Sequence, residues 1–206
     1  MKRKLLNLLL FFILMMSVGC ASSYKPINPS NADLQTNIEG EDLNFSYEYD
    51  LLAKIGNKKY SKMEKRDNLK LIAVKIENKT KQEVLVSQDI GFYVNNKEVT
   101  LLQPYHYTHN MKQNTISYLF YLLLTPLKLI IQDENGSSGE IPVGYVLGPG
   151  ITLINMIKSN SANSAFEKEL TDNNIIGKSI AAGETLTGII SIEHMGYSPL
   201  TIKLKD

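Results

Sequence analysis

The sequence predicts a mainly β chain, an antiparallel β-sandwich carrying a largely helical apolar insertion at about residues 103–174. Three observations carry that expectation. Leu43, Phe45, Tyr47, Tyr49 and Leu51 alternate with Asn44, Ser46, Glu48 and Asp50, the period of a strand with one buried face. Short β-branched runs bounded by turn residues recur over 69–101 and again over 186–204, a spacing typical of two-sheet antiparallel folds. Between these blocks lie two apolar runs, 115–131 and 141–157, parted by the polar stretch 132–140.

Lys2, Arg3 and Lys4 open the chain, residues 5–16 are apolar apart from Asn7, and Ser17, Val18, Gly19 and Cys20 close the run. A basic start, a short apolar middle and a small-residue end make a secretory signal, too short and wrongly flanked for a spanning helix. Because the run ends in Gly19-Cys20, it resembles the lipobox of bacterial lipoproteins that signal peptidase II cleaves. The resemblance implies that 1–19 is a signal peptide and that Cys20 becomes the lipid-modified first residue, with the bilayer as partner through its acyl chains. It also implies the outer membrane, since Ala21 rather than Asp follows the cysteine, and its periplasm-facing leaflet, since no acidic cluster lies near Cys20. Ordinary cleavage near Cys20, leaving a plain thiol, is the alternative. Cys20 is the only cysteine, so no intramolecular disulfide and no Cys-based zinc site can be built.

Charge excludes one class of partner. The whole chain carries +1, and loss of Lys2, Arg3 and Lys4 leaves 19 basic against 21 acidic side chains. Nucleic acid demands clustered excess Lys and Arg, so it is not an expected partner. A single folded domain over 41–206 is the expectation for a chain of this length.

Residues 20–40 are polar after Cys20, with Pro26 and Pro29 and no period, and are expected to form a flexible tether. After the strand at 43–51, the segment around Lys58, Lys59, Lys62, Lys65 and Arg66 has the charge of a solvated loop, with contact to anionic head groups as the alternative. Residues 69–76 are apolar on both faces and predict a central strand. Shorter strands follow at 84–86, 90–94 and 99–101, and Asn95-Asn96 suits the tight turn between the last two because Asn tolerates left-handed backbone angles. Near the end, 186–192 and 200–204 are strands around Gly196 and Pro199. With the Asn-rich turn and the Gly183-Glu184-Thr185 turn before the last pair, 43–101 and 175–204 resemble immunoglobulin-like modules of bacterial envelope lipoproteins. The resemblance implies the immunoglobulin-like form of the sandwich and no particular activity.

The two apolar runs sit at the lower limit for crossing a bilayer. Pro126 and Lys128 interrupt the first, and Gly144, Gly148, Pro149 and Gly150 weaken the second as a helix. Gly144 and Gly148 form a small-xxx-small spacing that lets helices approach closely, with Pro149 expected to stop the helix just after. Three roles stand open for the pair: an extra core layer, a membrane-dipping hairpin beside the lipid anchor, or a partner-binding surface. Ser164 and Glu167 have capping-box spacing, so 161–174 is expected to be a short helix with Phe166 and Leu170 on one face.

Catalytic signals are sparse. His106 and His109 flank Tyr107-Thr108, but a metal site needs a third or fourth ligand and no Asp or Glu follows at useful spacing. Gly177-Lys178-Ser179 mimics the end of a phosphate loop, yet Asp172 stands where glycine is required. Tyr105, Tyr107, Tyr118, Tyr121 and Tyr145 gather around the insertion, a residue type favoured at binding surfaces and membrane interfaces. The expected function is therefore a lipid-anchored envelope protein, non-catalytic and without cofactor or metal, presenting its insertion to membrane or to an envelope protein partner. Two alternatives accompany it: an envelope enzyme with its site under the insertion at His106 and His109, and an accessory subunit of an envelope complex.

Overall fold

The computed structural model describes residues 19–34, 36–132 and 138–205. Residues 1–18, nearly all of the expected signal peptide, lie outside them. The described residues are mixed α and β, 35% helical and 31% strand, which corrects the expectation of a mainly β protein. It divides into two compact units: a β unit of residues 24–112 and 163–205, and an apolar unit of residues 19–23 and 113–162.

In the β unit the alternating stretch forms β2 (Leu43–Glu48), with Leu43, Phe45 and Tyr47 buried and Asn44 and Ser46 on the other face. It pairs with β1 (Thr36–Glu39) on one side and β3 (Leu69–Asn78) on the other. β3 is buried on both faces for most of its length, as its apolar residues Leu69, Leu71, Ile72, Ala73, Val74 and Ile76 require, and pairs antiparallel with β10 (Thr185–Glu193) in the register Ile72↔Ile190. The order is β1-β2-β3-β10. A second antiparallel sheet, in the order β11-β5-β6, joins β5 (Ile90–Val94) to β6 (Lys97–Val99) and to β11 (Leu200–Leu204). Asn95 and Asn96 make the β5–β6 turn with φ of 51° and 63°, the left-handed pair that a two-residue hairpin needs. A short antiparallel ladder of β4 (Val84–Leu85) and β9 (Ser179–Ile180) lies in the same unit.

One hydrophobic core draws on both sheets: Phe45, Tyr47, Ile72 and Ile76 from the first, and Phe92, Val94 and Leu200 from the second. The Phe45 and Phe92 rings meet edge to face at 6.2 Å, and the Leu200 N–H donates to Tyr47 Oη at 3.1 Å. At Gly188 the backbone of 173–175 crosses β10 so closely that an added Cβ would lie 2.3 Å from Ile175 Cγ2 and 2.5 Å from the Asn173 carbonyl, so only glycine fits.

Helices supply the rest of this unit. α1 (Leu51–Lys54) and α2 (Lys58–Arg66) pack on β3, and α3 (Pro104–Met111) packs on α2. The basic segment expected as a loop is thus α2, because Tyr60, Ser61 and Glu64 lie at helical spacing and are buried, while Lys58, Lys62, Lys65 and Arg66 face solvent. The last turns of α4 (Gly144–Asn173) bring Phe166 against Tyr24, Tyr60 and Tyr107, with ring centroids 4.7 to 6.1 Å apart.

Two further expectations are corrected. The segment expected as a flexible tether packs instead: Ile27 is 3% exposed, Pro29 is buried, and Asn57 clamps Lys25 by accepting its N–H and donating to its carbonyl, both at 2.8 Å. The insertion expected at 103–174 is narrower as a unit, because Tyr107 and Met111 before it and Phe166 and Leu170 after it are core residues of the β unit.

Candidate functional site

The apolar unit holds a 3-10 helix (Ile116–Leu124), a hairpin of β7 (Leu129–Gln132) and β8 (Ser138–Ile141), and the first part of α4. α4 runs straight through Pro149, against the expectation of a stop there. The proline stands early in the helix and faces solvent, so it forgoes one ladder bond, to the Tyr145 carbonyl.

This part of α4 is packed with its polarity reversed. Gly144, Gly148, Thr152, Asn155 and Ser159 are buried, at a spacing that lines one side of the helix. Tyr145, Val146, Leu147, Leu153, Ile154 and Ile157 are exposed, Val146 to 76%. The glycines allow close contact, since a Cβ at Gly144 would lie 2.2 Å from the Leu124 carbonyl and one at Gly148 2.7 Å from Thr125 Oγ1. Thr152 Oγ1 lies 2.8 Å from the Gly148 carbonyl and 3.3 Å from that of Tyr118, and Ser159 Oγ donates to Thr115 Oγ1 at 3.1 Å.

The 3-10 helix and the hairpin show the same outward bias. Among the described residues, sixteen of the nineteen exposed large apolar side chains lie between Ile116 and Ile157. Patches of that breadth on a water-soluble surface mark contact with something apolar. The runs are therefore no extra core layer, which corrects that reading.

Cys20 belongs to this unit. It is exposed, and its side chain meets the Tyr121 hydroxyl; burial, and after it this contact, holds the Tyr121 phenol above its usual range. The next two residues are fixed. The Ala21 N–H donates to buried Asn155 Oδ1 at 2.7 Å, and Gln113 accepts the Ser22 N–H at 3.1 Å while donating to its carbonyl at 2.8 Å. Neither Asn155, a single amide inside the second apolar run, nor Gln113, in the polar stretch before the first, carries a local signal of its distant partner.

The other candidates are scattered. His106 and His109 are exposed on α3, each about 6 Å ring to ring from Tyr105, and no group of three or more His, Cys, Asp or Glu able to hold a metal occurs among the described residues. The five tyrosines divide, with Tyr105 and Tyr107 in the β unit and Tyr118, Tyr121 and Tyr145 in the apolar unit. Among the described residues no helix is long and apolar enough to cross a membrane. Comparison with protein-family models, curated proteins and solved structures gives no match.

Proposed function

We propose that the chain is a lipid-anchored protein of the bacterial envelope, acylated on Cys20 and non-catalytic, whose apolar unit faces the membrane or an envelope protein partner. The observation that carries this reading is that Cys20 is exposed and that Ala21, its neighbour, is bound to Asn155 in the unit whose apolar side chains face outward. The lipobox-like end of the leader supports acylation at this cysteine, and Ala21 after it favours the periplasmic face of the outer membrane.

The β unit is the body that the anchor holds, and the two antiparallel sheets around one core support its assignment as an immunoglobulin-like sandwich. Several acyl chains hold a protein where one chain binds only marginally. Metabolic labelling with an alkyne fatty acid tests the reading: the native chain is expected to carry the label and Cys20→Ala to lose it. An unmodified Cys20 thiol in the mature product, seen by mass spectrometry, overturns it.

A further inference from the structure

We infer that the apolar unit is embedded in the same lipid monolayer that receives the acyl chains of Cys20, so that the fold itself is a second anchor. This rests on the anchored reading and goes beyond it by assigning the outward apolar face one occupant, lipid acyl chains.

Reversed polarity is the first ground. In water a helix hides its apolar side chains and shows polar ones, whereas α4 hides Gly144, Gly148, Thr152, Asn155 and Ser159 and shows Val146, Leu153, Ile154 and Ile157. Helices packed in lipid join through small and hydroxyl or amide side chains, because hydrocarbon outside offers no drive to bury leucine and gives no partner to a polar group.

Distribution of charge is the second. Residues 113–127 and 144–157 contain no charged side chain. Lys128, which interrupts the first apolar run, is paired with Glu140 at 2.6 Å, and Lys158 follows the second run.

The third ground is the attachment point. With Ala21 and Ser22 held by Asn155 and Gln113, chains on Cys20 emerge from this unit rather than from the end of a loose tether. A protein partner covers one face, but here the 3-10 helix, the hairpin and α4 all expose large apolar groups, as a surrounding solvent of hydrocarbon requires. With no described helix able to cross, the unit dips into one leaflet.

Acylation leaves the chain without a thiol, so Leu153→Cys and Ile130→Cys each give one labelling site, with Lys62→Cys on α2 as control. All three side chains are exposed, so the label disturbs no packing. The acylated full-length variants, carrying an environment-sensitive fluorophore, are reconstituted in phosphatidylethanolamine–phosphatidylglycerol vesicles with or without nitroxide-bearing acyl chains. Blue-shifted emission and its loss to the nitroxide at 130 and 153, with neither at 62, is the expected result. Protein that floats with the vesicles while both probes stay as wet as the control overturns insertion and leaves the anchored reading intact. Probes that are shielded but unquenched mean coverage by protein, a second copy included, and also overturn it. Failure to float removes anchoring and insertion together.

Discussion

The Glu64 carboxylate of α2 accepts the backbone N–H of Leu71 in β3 at 2.6 Å, inside the β unit and 2% exposed. Burial raises its pKa from 4.5 to about 7, against the lowering influence of the Leu71 amide, Lys70 and the Tyr107 hydroxyl, with Asp50 adding to the rise. A carboxyl whose folded pKa is raised favours the folded state while protonated. Its contribution is complete below 4.5 and is lost as pH climbs through about 7. Melts of the native chain should therefore show stability falling across that window, by on the order of 2–4 kcal/mol in all. Glu64→Gln keeps an acceptor for Leu71 and should flatten the slope; an unchanged slope would assign it to other groups.

Phe166 touches three tyrosine rings and is fully buried. Phe166→Ala should cost the β unit about 3–5 kcal/mol, through lost transfer energy and the cavity left behind. Urea unfolding followed by tyrosine fluorescence measures this, and a loss under about 1 kcal/mol would mean that the ring is dispensable.

The glycines of α4 should split by position. Gly144→Ala and Gly148→Ala press a methyl on the backbone or side chain of 124–127 and should each destabilise the apolar unit by about 1–3 kcal/mol. Gly150 has nothing within 4 Å of a built Cβ, so Gly150→Ala should stabilise the helix by about 0.5–1 kcal/mol. Thermal melts in vesicles rank the three, and equal effects at 144 and 150 would contradict the close packing.

Asn155 predicts a local effect. Asn155→Ala removes the acceptor for Ala21 and should cost about 1 kcal/mol while speeding hydrogen exchange at that amide. Asn155→Asp retains an acceptor and should leave the Ala21 amide protected. Exchange at Ala21 that is equally slow in both variants would show the bond to be idle.

Much of the β unit is legible in the sequence. The alternation of Leu43, Phe45 and Tyr47, the two-sided apolar run of β3 and the Asn95-Asn96 turn follow from period and backbone preference. Phe166 and Leu170 at i and i+4 likewise gave the end of α4 its buried side. α2 is hidden because the residues it buries are Tyr60, Ser61 and Glu64, only one of them strongly apolar, so no hydrophobic stripe marks it. The packing of residues 24–34 rests on Ile27, Pro29 and a clamp from Asn57, which are long-range facts that local composition does not carry. In the first part of α4, hydropathy singles out the outward side chains and passes over the glycine, hydroxyl and amide side that makes the contacts.

Ala21 and Asn155, joined by one hydrogen bond, are 134 residues apart in the chain. At a synthesis rate of roughly 5–20 residues per second, Asn155 is made about 7 to 27 seconds after Ala21. For that whole interval the segment around Ala21 lacks the residue that later holds it, and it can be fastened to α4 only afterwards.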